Sequence, residues 1–362
     1  GVIGAIITSK KAGINKIIGF DMGGTSTDVC HYNGIIERTF NSEISGVKMQ
    51  TPMIALHTVA AGGGSILKFD GSRFRVGPDS AGANPGPACY NKGGPLTLTD
   101  ANFILGKLQK EFFPSTFGTN SDSPVNLDII NEKFNDLSYQ IEKLSGKKMS
   151  KEEIASGFIK IAIENMSNAI KKISIEKGYN VKNYTLCCFG GAGGQHACLV
   201  AEALGISTVF IHPLSGVLSA LGIGNSNIKI IKEKTVELTL NEMNIQSVEF
   251  HINELTKKGM KDILEQDSSN PQVITSVSFN IKYDGADSTL NIEYKNLSKI
   301  KKDFNEEHIK LFGFFSPEKN LIIESIVVEL NVINEDLELN INLRKKETQK
   351  NFYKFKKNVY MK

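Results

Sequence analysis

Apolar and polar positions along the chain change period several times, and each change marks an element. The run Ile17-Ile18-Gly19-Phe20 predicts a buried strand, and residues 28–32 and 35–40 read as the next two strands of a meander joined by a type I′ turn at Asn33-Gly34. Residues 58–61 continue this strand-rich stretch, and a short hairpin turns through Asp70-Gly71. Periodicity is then lost from 72 to 95, where Gly77 through Cys89 reads as a long irregular loop of the kind that tends to carry function. Thr99-Asp100 opens a helix over 101–108, with Asp100 as its cap. Ile154, Phe158, Ile161, Ala162, Met166, Ala169 and Ile173 recur at helical spacing behind a Ser150/Glu153 capping box and stop at Gly178, so this stripe belongs to the core. Residues 184–189 predict a buried strand, 195–204 a helix closed by Gly205, and 208–212 another strand. Beyond Lys232 the pattern becomes strands at 273–283 and 289–294, a helix at 300–312 and a strand at 321–333. We read an α/β core over 1–232 and a smaller α+β domain over 233–362.

Composition narrows the classes. With 362 residues, 40% hydrophobic and 22% charged, the chain can bury a large core without staples. Its five cysteines, Cys30, Cys89, Cys187, Cys188 and Cys198, show no Cys-x-x-Cys spacing, which argues against structural zinc and a disulfide framework and favours a reducing cytoplasm. The longest weakly polar run, 185–224, is interrupted by glycines, Gln195, His196, Glu202 and Pro213, so no membrane span is expected. The net charge of +3 is carried by the tail, since 344–362 holds eight basic residues and one acid and leaves about −4 for the rest; no nucleic-acid partner is expected. The opening Gly-Val-Ile-Gly-Ala-Ile-Ile reads as helix without an initiator Met, which suggests a start inside a longer protein.

Candidate chemistry concentrates in two glycine segments. Phe20-Asp21-Met22-Gly23-Gly24-Thr25-Ser26-Thr27-Asp28-Val29 packs hydroxyls and two carboxylates around a glycine turn. Such a turn lets backbone N–H groups approach anionic oxygens; Thr25, Ser26 and Thr27 can donate to phosphate, and Asp21 and Asp28 can hold Mg²⁺ or its waters. A plain hairpin turn would not explain five polar or acidic side chains here. The motif is neither a Walker A loop nor Gly-x-Gly-x-x-Gly. Gly190-Gly191-Ala192-Gly193-Gly194 lies between a strand and a helix start, a second anion-binding geometry.

Four motifs in order carry a family resemblance: residues 20–29; His57 through Ser65; the Gly77–Cys89 loop with Gly93-Gly94-Pro95-Leu96-Thr97 and Thr99-Asp100-Ala101-Asn102; and Phe189 through Ala197. Together they resemble the hydantoinase A/5-oxoprolinase family. The resemblance implies actin/Hsp70/sugar-kinase-like (ribonuclease H-like) ATPase lobes, here incomplete, and ATP with Mg²⁺ used to open a small cyclic amide. His212 through Gly222 resembles the 5-oxoprolinase branch, whose reaction converts 5-oxoproline, ATP and water to glutamate, ADP and phosphate. An N-methylhydantoinase or an acetone-carboxylase-type subunit is the enzymatic alternative, and an inactive remnant of a split gene the non-catalytic one. By resemblance Gly23, Gly24, Thr25, Ser26 and Thr27 hold phosphate, Gly190, Gly191, Gly193 and Gly194 the nucleotide, and Asp21 the metal or the attacking group. Asp21, Thr25, Asp28 and His196 are the catalytic candidates, with helix capping an equal reading for His196. His57, Gly62, Gly63, Gly64, Ser65, Asp79 and Ser80 are substrate-side candidates, although a semi-buried structural role suits His57 as well. Cys89 is read as structural. The family carries a similar Asp-x-Gly-Gly-Thr turn near its N-terminus, so an N-terminal lobe and a hydantoinase B-like subunit or domain are the expected partners.

Overall fold

A computed structural model describes residues 1–44, 47–241, 244–266, 271–333 and 358–360, with backbone only for 39–44 and 47–52. Most of the basic tail lies outside the described residues. The chain divides into two compact units, residues 1–224 with 341–362, and residues 225–340. The units divide at 224/225, eight residues before the boundary read after Lys232.

The first unit runs α1 (Val2–Lys11), β1 (Ile17–Met22), β2 (Thr27–Tyr32), β3 (Arg38–Ile44), β4 (Val47–Ile54), β5 (His57–Val59), β6 (Ser65–Phe69), β7 (Phe74–Ser80), α2 (Leu98–Ile104), α3 (Leu127–Ser145), α4 (Lys151–Ile173), β8 (Thr185–Phe189), α5 (Ala197–Leu204), β9 (Val209–Phe210) and α6 (Leu218–Gly224). Five strands form one sheet in the order β5-β2-β1-β8-β9, with β2 antiparallel to both neighbours and β1, β8 and β9 parallel. Alternation along β1 sends Ile18, Phe20 and Met22 into the large core shared with α4 and α5, and Ile17 into a smaller core with α1. The α4 stripe is buried as read except at Ile161, which is half-buried, and Phe158 and Met166 are fully enclosed, each burial stabilising by about 1.5–3 kcal/mol. Ser150 and Glu153 form the expected capping box.

Three local expectations change. A type I′ turn needs positive φ at both central residues, but of Asn33 and Gly34 only Gly34 has it, at 111°. The chain instead bends through a wider loop closed by a Tyr32–Ile36 bridge; β2 takes β5 as its second partner, and β3 pairs with β4 in a separate hairpin. The helix expected over 101–108 starts earlier because Thr97 is the N-cap and Asp100 closes the capping box at the third position. Likewise β7 extends to Ser80, and the irregular loop begins only after it.

The second unit holds β10 (Lys229–Thr239), α7 (Ile245–Gln266), β11 (Val273–Tyr283), β12 (Leu290–Glu293), α8 (Leu297–Phe312) and β13 (Leu321–Val332). Its four strands are antiparallel in the order β10-β13-β11-β12, and Leu255, Ile263, Ile300 and Phe304 of the helices share one core with Phe279, Ile281 and Val328. Among the described residues no helix is long and apolar enough to cross a membrane.

Candidate functional site

The register of β1 with β2 sets Asp21 opposite Asp28 and Met22 opposite Thr27, which leaves residues 23–26 as the tip of a hairpin. Gly23 N–H donates to Ser26 O at 3.0 Å and closes that tip. The N–H groups of Gly24, Thr25 and Ser26 have no partner among the described residues, and Gly24 and Thr25 are exposed. Three unpartnered donors in succession are what an anion-binding concavity of the kind expected from the sequence requires.

A second glycine segment holds the tip from behind. Gly63 N–H donates to Gly23 O at 3.0 Å and Gly64 N–H to Gly24 O at 2.6 Å. A Cβ on Gly62 would stand 2.5 Å from the Thr25 carbonyl carbon and 2.6 Å from Gly24 O and Ser26 N, so only glycine fits. Gly62, Gly63, Gly64 and Ser65 are all buried, and Ser65 Oγ accepts from Gly62 N–H at 2.8 Å. Read from sequence as substrate-side, these four are instead the back wall of the turn. Thr27 also turns inward: it is fully buried and its hydroxyl donates to Ala61 O, which leaves Thr25 and Ser26 as the hydroxyls available to a ligand.

The third segment, 190–194, closes on the end of β1. Gly190, at φ +85°, lies so near that a Cβ would be 2.4 Å from Met22 O and 2.6 Å from Asp21 Oδ1. Ala192 N–H donates to Met22 O at 3.0 Å, and Gly193 packs against Cys188 Sγ. Gly191 and Gly194 are exposed with open space around them, and Gly191 N–H has no partner among the described residues. Burial pushes the Asp21 carboxyl up from its ordinary value, and the Asp28 charge adds to it. Thr58 Oγ1 donates to Asp28 Oδ1 at 2.6 Å, and register places Thr58, Asp28 and Asp21 in a row across three strands. No group of three or more His, Cys, Asp or Glu forms a metal cluster among the described residues. Two carboxylates beside unpartnered amides nevertheless suit Mg²⁺, a hard cation that keeps several waters and takes its other oxygens from phosphate.

The first turns of α2 join these segments. Thr99 donates to Gly63 O from its N–H at 2.8 Å and from Oγ1 at 2.9 Å. Asp100, fully buried, accepts from Ala88 N, Cys89 N, Thr97 N and Thr97 Oγ1 at 2.8–3.1 Å, so it organises the loop before α2. Asn102 Nδ2 donates to Gln195 Oε1 at 3.3 Å and to His196 Nε2 at 3.1 Å. His196 is fully buried; burial, aided by the Lys107 charge, drives its pKa down to about 3. The ring is therefore neutral and faces α2. Buried and bonded to Asn102, His196 has the geometry of a support for the second glycine loop.

Residues 1–232 match the hydantoinase/oxoprolinase family. The chain belongs to this family. The 5-oxoprolinase of Saccharomyces cerevisiae is 43% identical over 331 residues, which cover 90% of this chain and 26% of that protein. The crystal structure of ATP-dependent caprolactamase from Pseudomonas jessenii superposes with a TM-score of 0.77 at 28% identity, covering 92% of this chain and 49% of that one. A nucleotide-free acetone carboxylase structure gives a TM-score of 0.66 at 23% identity over 92% of this chain and 49% of that one, a likeness of fold alone. The chain spans about a quarter of the length of the curated 5-oxoprolinase it matches.

Within this hydantoinase/oxoprolinase chain the remaining candidates are dispersed. His57 stands opposite Val29 on β5, so it shares the α4 face of the sheet while Asp21 and Asp28 occupy the other; burial lowers its pKa, and Lys172 adds to the shift. Asp79 is exposed and pairs with Lys68 at 2.7 Å. Ser80 Oγ accepts from Gly82 N–H at 3.2 Å beside Gly64. Cys89 is buried and its thiol pushed well up by burial and by Asp100, consistent with the structural reading. Two residues escaped assignment, Thr99 and Asn102. The signal for them was the run of polar residues flanking Ala101 in Thr99-Asp100-Ala101-Asn102, at the start of a helix whose neighbours Leu98 and Phe103 are apolar.

Proposed function

We propose that this chain is the phosphate- and nucleotide-handling part of an ATP-dependent cyclic-amide hydrolase acting on 5-oxoproline, with glutamate, ADP and phosphate as products. The observation that carries the reading is the meeting of three glycine segments at the end of β1, which leaves the N–H groups of Gly24, Thr25, Ser26 and Gly191 unpartnered among the described residues beside Asp21 and Asp28. The sheet supports a ribonuclease H-like ATPase lobe: counted in chain order its strands lie 3-2-1-4-5, with the second antiparallel to the rest. Identity of 43% to a 5-oxoprolinase favours 5-oxoproline over caprolactam, where the structural neighbour is 28% identical.

Phosphorylation of the lactam oxygen makes the amide carbon electrophilic and gives water a route to open the ring. In this reading the turn amides and the Thr25 and Ser26 hydroxyls bind the transferring phosphoryl oxygens, and Gly191 and Gly194 let the nucleotide phosphates approach the backbone. Asp21 and Asp28 would hold Mg²⁺, which supplies charge neutralisation to the phosphates when bound. Fixing Asp28 through Thr58 keeps one of its oxygens committed and the other available.

The test is ADP release in protein reconstituted with the segments that the longer relatives carry, fed 5-oxoproline, hydantoins, ε-caprolactam, or acetone with bicarbonate. Release with 5-oxoproline, lost on Asp21→Ala by roughly 100-fold or more, supports the reading. Release with acetone instead would move the chain to the carboxylase type, and unchanged turnover in Asp21→Ala would remove the role given to that residue.

A further inference from the structure

Gly63 and His196 lie far apart in sequence, and one short helix holds both. At one end of α2, Thr99 donates twice to Gly63 O, and Gly63 N–H in turn donates to Gly23 O of the phosphate turn. One turn further along, Asn102 Nδ2 donates to His196 Nε2 and to Gln195 Oε1, at the exit of the second glycine loop, while Lys107 Nζ donates to Gln195 O at 3.4 Å. Asn102 and His196 are both fully buried, yet Asn102 Oδ1 and His196 Nδ1 have no hydrogen-bond partner among the described residues. An apolar pair would fill the same space without orphaned polar atoms, so burial alone does not account for this pair.

We infer that Thr99 and Asn102 are positioning residues that set the spacing between the phosphate turn and the second glycine loop. Neither touches the open tip. A helix turn has a fixed rise, so two anchors three residues apart on α2 tie the two loops at a fixed separation. Amides of the turn and of Gly191 must converge on one chain of phosphates, and a shift of about 1 Å in either loop would misdirect them. The consequence for ATP rests on the function proposed above; the mechanical coupling does not.

Backbone amide exchange on the 362-residue chain tests the coupling. Asn102→Ala removes the side-chain hydrogen bonds to His196 and Gln195 and none to Gly63, yet the Gly63 amide is expected to exchange about tenfold faster, the loss that corresponds to about 1.4 kcal/mol. Thr99→Val is expected to do the same to the His196 amide, which donates to Gly193 O. Strictly local effects in both variants overturn the inference. Asn102→Asp keeps a polar partner for Nε2 once the imidazole proton moves there, and partial restoration of both amides, with a changed His196 ring-nitrogen resonance, separates positioning from loss of fold. In reconstituted protein, Asn102→Ala is expected to raise the KM for ATP about tenfold, and an unchanged KM and kcat would refute the catalytic consequence. If wild-type protein released no ADP with any cyclic amide, the proposed function would fall while the exchange result still decided the coupling.

Discussion

Replacing Gly62 by alanine asks whether the back wall of the turn is as tight as its geometry. The new Cβ would stand 2.5–2.6 Å from three backbone atoms of the turn, against 3.4 Å or more in ordinary contact, so turn and wall must separate by about 0.8 Å. The φ of Gly62 is not in the positive region, so alanine meets no backbone strain. By itself Gly→Ala would then stabilise by about 0.4–1 kcal/mol through the unfolded chain. Overpacking costs about 1–3 kcal/mol, and here the obstacle is backbone, which cannot rotate away. We expect a net loss of about 2 kcal/mol and a Tm lower by about 4–8 °C for a unit of this size. The chain has no tryptophan, so far-UV circular dichroism or calorimetry is the assay. Gly24→Ala is the internal comparison: nothing lies within 4 Å of its Cβ position, so its Tm should match wild type within about 1–2 °C. Equal melting of Gly62→Ala and wild type, or an equal drop in both variants, would refute the packing argument.

His196 gives a pH prediction with a definite sign. Its folded pKa, about 3, lies below the ordinary 6.5, so the unfolded chain binds the proton first and stability falls as pH drops from 6.5 toward 3. At pH 5 the loss is about 2 kcal/mol relative to pH 8, and His196→Gln should flatten the profile by that amount in parallel urea titrations. Thr27→Val should lower the urea-derived stability by about 1–2 kcal/mol through the lost bond to Ala61, whereas Thr25→Val, at an exposed position, should change it by less than about 0.5 kcal/mol. Asp100→Ala leaves three buried N–H donors without an acceptor and should cost about 3 kcal/mol or more in the same titration.

Elements with their own local signals were legible in the sequence. The Ser150/Glu153 box, the α4 stripe, the strand before Gly190 and the strand Val273–Tyr283 all lie where pattern and caps put them. What needed a distant partner was not legible. The choice of β5 over β3 as neighbour of β2 depends on a loop whose Asn33 declines positive φ, and composition cannot report that. β10 and α7 escaped notice because lysines and glutamates interrupt both apolar patterns, as in Lys232-Glu233-Lys234. At the site, the glycine turn at the end of β1 was legible because glycines and hydroxyls cluster in one stretch. Direction was not: sequence places His196 beside a glycine loop and Gly62 after a strand, but only tertiary packing shows that the ring faces α2 and that the glycine faces the turn.

The junction of the three glycine segments also constrains how such a chain can vary. Any change in the first two bases of a glycine codon adds a side chain or ends translation. At Gly62, Gly190 and Gly193 the added atom would meet another atom at 2.4–2.8 Å. The junction is thus nearly closed to point mutation, with almost no neutral steps leading away from it. Diversification of what the surrounding protein acts on is left to the segments around the junction, whose side chains can be exchanged without moving it.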